Sequence, residues 1–194
     1  MEIKYFFDFR SKLLSSTVQA HLTDLNIDHL KLIKGNYQGI KFPLVFKQEY
    51  GNKLCDILDT GYASLYLISD RMKTVLEENK LTGWKAFPIE LYDKKGNRIS
   101  GYHGFSITGQ SSPTTYDNCE IIEKRMVPNG PVCKFYKGVS IDKWDGSDFF
   151  TPEGTYETFI TKKAADILKK NKITNLELIN LADSEMDVDN ILKN

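Results

Sequence analysis

ISDRMKTVLEENKLTGWKAFPIEL, residues 68–91, returns in outline as ITKKAADILKKNKITNLELINL, residues 160–181, at an ungapped offset of 92. Ser69 pairs with Thr161, Met72 with Ala164, Val75 with Ile167 and Leu76 with Leu168. Asn79-Lys80 then pairs with Asn171-Lys172, Leu81 with Ile173, and Thr82 with Thr174. Each match has a structural reading. Ser69 or Thr161 caps a helix by accepting a hydrogen bond from a free first-turn N–H. The apolar triplet at i, i+3, i+4 makes one buried stripe. The Asn-Lys pair ends the helix, because asparagine tolerates the left-handed conformation used at a C-terminal cap. A turn then leads into an extended run, WKAFPIEL or LELINL. The unit is strand, three-turn helix, strand. Two copies predict an α+β fold: one compact domain with an antiparallel or mixed sheet and two similar strand-helix-strand units. A fainter echo in residues 15–32 places Ser15, Val18 and Leu22 at the same spacing.

A chain of 194 residues and 22.2 kDa fits one domain or two small, closely packed ones. We divide it into an N-terminal α/β segment, residues 1–55, packed on a main domain of residues 56–194 that carries the repeat. Twenty-six basic residues balance 26 acidic ones, with a pI near 6.8, which disfavours nucleic acid as a partner. The first residues, MEIKYFFDFRSKLL, interrupt their apolar run with charges and do not read as a secretory signal. No run of apolar residues is long enough to span a membrane. Cys55, Cys119 and Cys133 are an odd number without close spacing, which suits a reduced, cytoplasmic setting with free thiols.

In chain order, IKYFFDF (3–9) reads as a strand and residues 15–32 as a helix followed by a short strand. Gly35, Gly39 and Pro43 mark a loop, KLCDILDT (53–60) a short helix, and Lys95-Gly96-Asn97 a hairpin turn. CEIIEKRMV and CKFYKGVSI are strands about the turn PNGP. WDGSDFFTPEGT is a polar, aromatic connection, and the acidic tail ends in a short possible helix.

The usual catalytic patterns are missing. His21, His29 and His103 lack spacing for a helical metal pair and no Cys-x-x-Cys occurs, so neither a metal nor a cofactor is expected. There is no nucleophile elbow and no phosphate-binding loop. One cluster stands out: Asp142, Trp144, Asp145, Asp148, Phe149, Phe150 and Glu153. It has three readings: a turn at Asp145-Gly146 with inward phenylalanines, a recognition surface of aromatic anchors among charges, or an acid–base pair beside an aromatic platform.

Ile68-Ser69-Asp70-Arg71-Met72, Leu81-Thr82-Gly83, Phe87-Pro88-Ile89-Glu90-Leu91, Tyr102-His103-Gly104 and Trp144 to Phe150 resemble a family of small bacterial proteins. The closing Ile160-Thr161 helix with Ile173-Thr174 does so too. The family, formerly a domain of unknown function, comprises immunity proteins of polymorphic toxin systems, and the resemblance covers about residues 56–181. It implies a cytosolic, non-enzymatic protein that binds and blocks a cognate toxin, and it supplies no catalytic residues. Some similar proteins carry paired Cys-x-x-Cys sites, which this sequence lacks, so no metal carries over. For partner binding the expectation falls on Asp142, Trp144, Asp145, Asp148, Phe149 and Glu153, with no role for nucleic acid or membrane. The alternatives are an enzyme using Asp145, Asp148 and Glu153 in a cleft, or a self-associating structural module.

Overall fold

Asp56 and Asp148 also stand 92 residues apart, as do Ile57 and Phe149, so the offset relating the two helices reaches back into the segments before them. The computed structural model describes residues 5–187 other than Leu13 and Asn118, and this longer correspondence governs its architecture. The first copy runs through β1 (Phe6–Ser11), β2 (Gln19–Leu22), α1 (His29–Ile33), β3 (Leu44–Tyr50), β4 (Ile57–Asp59), β5 (Tyr66–Ser69), α2 (Asp70–Glu78) and β6 (Trp84–Phe87). A hairpin of β7 (Ile89–Tyr92) and β8 (Arg98–Ile99) leads to the second copy. That copy opens with β9 (Tyr102–Ile107) and β10 (Gly109–Ser111), then inserts β11 (Thr114–Thr115), β12 (Glu120–Arg125), β13 (Val132–Lys137) and β14 (Ser140–Ile141). It closes with β15 (Phe149–Pro152), β16 (Phe159–Thr161), α3 (Lys162–Lys170) and β17 (Leu176–Asn180), and β18 (Glu185–Asp187) follows. The fold is α+β with mixed sheets.

The order of strands exposes the duplication. One sheet runs β6-β9-β5-β4-β2-β3-β7-β8 and the other β17-β1-β16-β15-β10. The first five positions correspond in order and in sense: three antiparallel pairings, then one parallel pairing, β4 with β2 or β15 with β10. Register agrees as well, with Ile57 opposite Ile68 and Phe149 opposite Ile160. β1 therefore corresponds to β9, yet each lies in the sheet of the other copy. The copies exchange their opening strands, so β1 sits between β16 and β17 as β9 sits between β5 and β6. Of residues 1–55, β1 is thus interior to one sheet while β2 and β3 belong to the other.

Strand alternation puts one face of each sheet on a shared core. Phe9, Ile57, Ile68, Phe105, Phe149 and Ile160 meet Met72, Leu76, Ala164 and Leu168 of the helices there. Neighbouring residues on the opposite faces close two more clusters. Leu58, Leu65 and Leu67 pack with Leu32 of α1 and Phe46. Phe150 and Phe159 pack with Phe6, Ile141 and Trp144.

Both helices start where the sequence places them. Ser69 Oγ accepts from Met72 N at 3.1 Å and Thr161 Oγ1 from Ala164 N at 3.3 Å. Met72, Val75, Leu76, Ala164 and Leu168 are buried, but Ile167 is half-buried and Ala165 takes the deeper position. The C-terminal caps work differently from the expectation. Asn79 and Asn171 keep φ of −89° and −82°, and the left-handed residues are Lys80 and Lys172, both at 51°. Each asparagine acts through its side chain, Nδ2 donating to Val75 O at 2.8 Å or Ile167 O at 2.9 Å.

Three segments depart from the apolar spacing. Residues 15–32 run strand then helix, so the faint third echo is β2 and no copy. Residues 53–60 form β4 and no helix, and the supposed polar connection contains the buried strand β15. The cause is common to β4 and β15. Ile57 and Leu58, like Phe149 and Phe150, are buried on opposite faces of a sheet, and such short apolar runs carry no period. The possible C-terminal helix falls in residues 188–194, outside the described residues.

Candidate functional site

The residues between 142 and 153 do not form one surface. Phe149 is fully buried in the central core and Asp148 is buried beneath the start of α3, so neither is open to a partner. Trp144 is half-buried. Its ring lies 5.4 Å from Phe6 and 6.3 Å from Phe150, and its Nε1 donates to Ser147 O at 2.7 Å. Asp145 is exposed, but its carboxylate accepts from Gln110 N at 2.8 Å and Ser147 N at 2.9 Å, which fixes the turn. Asp142 and Glu153 remain exposed. Trp144→Ala is accordingly expected to lower stability by about 2 kcal/mol, below the range for a fully buried tryptophan. Thermal unfolding checks this, and an unchanged melting temperature would free the ring for a surface role.

Asp148 instead completes a pair that the repeat builds twice. Its Oδ1 accepts from Thr161 Oγ1 at 3.1 Å, and its Oδ2 from Thr82 N at 3.0 Å, Thr82 Oγ1 at 3.3 Å and Lys163 Nζ at 3.1 Å. Asp56 repeats the set with the copies reversed. Its Oδ1 accepts from Ser69 Oγ at 2.7 Å and Arg71 Nε at 3.0 Å, and its Oδ2 from Thr174 N at 2.8 Å and Thr174 Oγ1 at 2.7 Å. Each aspartate joins the N-terminus of one copy's helix to the turn after the other copy's helix. Arg71 goes further and donates to Asn171 O and Lys172 O at 2.9 Å, satisfying carbonyls at the end of α3. Asp56 was missed in the sequence and Asp148 was assigned to a surface, although extending the ungapped offset backward from Ser69 reaches both.

Two features are not demanded by the duplicated plan. The first is the β12–β13 hairpin in the second copy's insert. Ile121, Met126, Val127 and Val132 are 59, 65, 59 and 50% exposed along it, four of the ten exposed large hydrophobic side chains among the described residues. β12 is also an edge strand of the β12-β13-β18 sheet. The hairpin is anchored at its base, where Tyr116 and Tyr136 stack at 5.1 Å, and nearer its turn, where Lys124 pairs with Glu185 and lies 4.6 Å from the Phe135 ring.

The second feature is a cleft of about 450 Å³ at the seam between the sheets, lined by Asp8, Arg10, Asp59, Tyr62, Tyr66, Glu157 and Thr158 among others. Asp59 is held by Ser11 Oγ at 3.2 Å, Gln19 Nε2 at 3.0 Å and Gly61 N at 2.7 Å, and Arg10 pairs with Asp8. Burial raises the Asp8 carboxyl despite Arg10. Burial, with the charge of Asp8 behind it, raises that of Glu157 to about 7 against the opposing pull of Arg10. Ninety-two residues before Glu157 stands Leu65, fully buried in the second core. The position that is a carboxyl in one copy is thus hydrocarbon in the other.

Among the described residues no three His, Cys, Asp or Glu side chains gather to hold a metal ion, and no helix is long and apolar enough to cross a membrane. A comparison with models of known protein families finds no match, and a comparison with curated proteins finds no similar sequence.

Proposed function

We propose that this is a non-enzymatic, cytoplasmic binding protein that neutralises a cognate bacterial toxin by direct contact, with the β12–β13 hairpin as its docking element. One observation carries the reading: the hairpin exposes Ile121, Met126, Val127 and Val132 while the fold's own cores are complete without them. Large apolar side chains exposed several times along one element mark a surface suited to being covered. The unpaired edge of β12 adds backbone donors and acceptors, so an extended segment of the toxin can join the sheet while its side chains cover the apolar ones. Asp142, Trp144 and Asp145 lie in the same insert, and the exposed acids Asp142 and Asp145 suit a toxin with a basic face.

The test is to co-express the chain with candidate toxin domains sought among the genes neighbouring its own. The wild type should restore growth, and Met126→Asp with Val127→Asp should abolish rescue and weaken binding by at least about a hundredfold. The melting temperature should hold, because both side chains already face solvent. Rescue by the double variant would end the role of the hairpin, and no rescue by the wild type would end the toxin reading. A second reading, acid–base chemistry in the seam cleft, is favoured by the Glu157 carboxyl near 7. The acids first considered for it are otherwise engaged, since Asp145 and Asp148 spend their carboxylates on structural hydrogen bonds.

A further inference from the structure

We propose that the seam cleft is a binding site for an organic cation, an ammonium or guanidinium group on a short apolar stem, held by Glu157 and Thr158. The site is independent of the hairpin and of any toxin.

Charge comes first. Asp8, Asp59 and Glu157 line the cleft against the single cation Arg10, which is already paired with Asp8. Glu177, opposite Arg10 on β17, adds to the acidic excess. Unmet hydrogen bonding comes second. Glu157 Oε2 and Thr158 Oγ1 are buried and have no hydrogen-bond partner among the described residues, and Thr158 is 1% exposed. Buried polar atoms are nearly always satisfied, so two neighbours lacking partners in one cleft point to a donor supplied from outside. An ammonium or guanidinium brings several donors and the charge that a carboxylate pairs with.

The walls suit the rest of such a ligand. Tyr62, half-buried, lines the same space and supplies an aromatic wall beside a cation and its stem, while Phe9 and Tyr66 close its inner side from the core. The acids stand around the cleft and do not gather as metal ligands do, which fits a ligand with donors spread over several ångströms. The fold does not require a carboxyl at position 157, because Leu65 fills the matching place in the other copy. The related cleft there, about 200 Å³ and lined by Lys34, Gln110, Thr151 and Glu153, already holds a cation of its own.

Binding should be linked to pH through Glu157. The groups that bear on it are Asp8 and Arg10 of β1, and Tyr116 lies near enough to feel its charge. Asp59 and Tyr66 close the other side of the cleft, and His21 and His29 stand behind Tyr62. A carboxyl that is half-protonated near pH 7 must ionise to pair with the cation. Affinity should therefore rise about tenfold between pH 6 and pH 8 as the ionised fraction grows.

Titration calorimetry of the full chain with butylguanidinium, and separately with a blocked Gly-Arg-Gly peptide, tests the site. Binding of at least one probe is expected at pH 8, about tenfold weaker at pH 6. Tighter binding of the free cation would identify a small-molecule ligand, and tighter binding of the peptide an arginine side chain on a partner. Glu157→Gln should weaken binding at least about tenfold and remove the pH dependence, separating Glu157 from the histidines behind Tyr62. Its melting temperature should not fall, since a buried carboxyl is replaced by a neutral group of the same shape. Glu153→Gln, in the related cleft, should change neither affinity nor its pH profile. No binding of either probe at pH 8, or a Glu157→Gln chain that binds as the wild type does, would overturn the proposal.

Discussion

Asp56→Ala is expected to cost about 3–5 kcal/mol of folding stability, because one buried carboxylate is taken from several donors and each hydrogen bond to a charged group contributes about 1.5–3 kcal/mol. For a chain of this length that lowers the melting temperature by roughly 6–20 °C. The Asp56 side chain is 8% exposed and serves Ser69, Arg71 and Thr174 at once. Removing it leaves the first turn of α2 and the turn after α3 without a common acceptor, and takes the carboxylate from the half-exposed Arg71. Asp148→Ala should act in the same direction through Thr82, Thr161 and Lys163. Acid should bring the wild type and its variant together. Burial opposes ionisation of Asp56, but hydrogen bonds from Arg71, Thr174 and Ser69 overcome it and hold the carboxyl well below the usual carboxylate range. A group whose folded-state pKa is depressed contributes fully above its unfolded value, near 3.9, and loses that contribution as pH falls. The gap in melting temperature between wild type and Asp56→Ala should therefore be constant from about pH 5 upward and shrink below pH 4. Equal melting at pH 7 would mean that the aspartate does not hold the copies together.

The same aspartates show how far the sequence could be read. The helices were legible because caps and apolar stripes are local: Ser69 and Thr161 sit three residues before the N–H groups they accept from. The hairpin turns around Gly96 and Asn129 were legible for the same reason. β4 and β15 were not, because a strand of three or four residues buried on both faces carries no alternation. The exchange of β1 and β9 left no mark at all, since FFDFRS and YHGFSI fit either sheet by composition and only pairing decides between them. The surface reading of residues 142–153 failed for a related reason. Acids beside aromatics look alike whether the acid faces solvent or, like Asp148, takes four hydrogen bonds in the interior. The seam cleft was unreadable because its walls come from β1, the β4–β5 connection and the residues before β16, far apart in the chain.

Gly83→Ala is expected to cost about 3–5 kcal/mol, though the change adds a single methyl group. Gly83 has φ of 82°, where an L side chain costs about 1–2 kcal/mol. The larger part is steric, because a Cβ built there stands 2.0 Å from Phe149 O, a backbone atom that no rotamer change can move. The turn cannot easily retreat. Gly83 O accepts from Thr108 N at 2.8 Å and Gly109 N at 3.2 Å, and Phe149 N donates to Thr82 O at 3.0 Å. The second copy solves the same problem otherwise. Asn175, 92 residues on, also has positive φ, at 61°, and its Nδ2 donates to Ile57 O at 2.8 Å. Ile57 is the counterpart of Phe149, so one junction closes by direct backbone approach and the other through an amide bridge. The two positions should then answer substitution differently. Asn175→Gly removes a bridge worth about 1 kcal/mol and relieves a left-handed side chain, leaving a small net cost. Gly83→Asn should be as damaging as Gly83→Ala, because the amide has no room to form. Denaturant unfolding of the three variants measures the contrast. A Gly83→Ala chain within about 1 kcal/mol of the wild type would mean that β15 does not approach that turn as closely as its carbonyl requires.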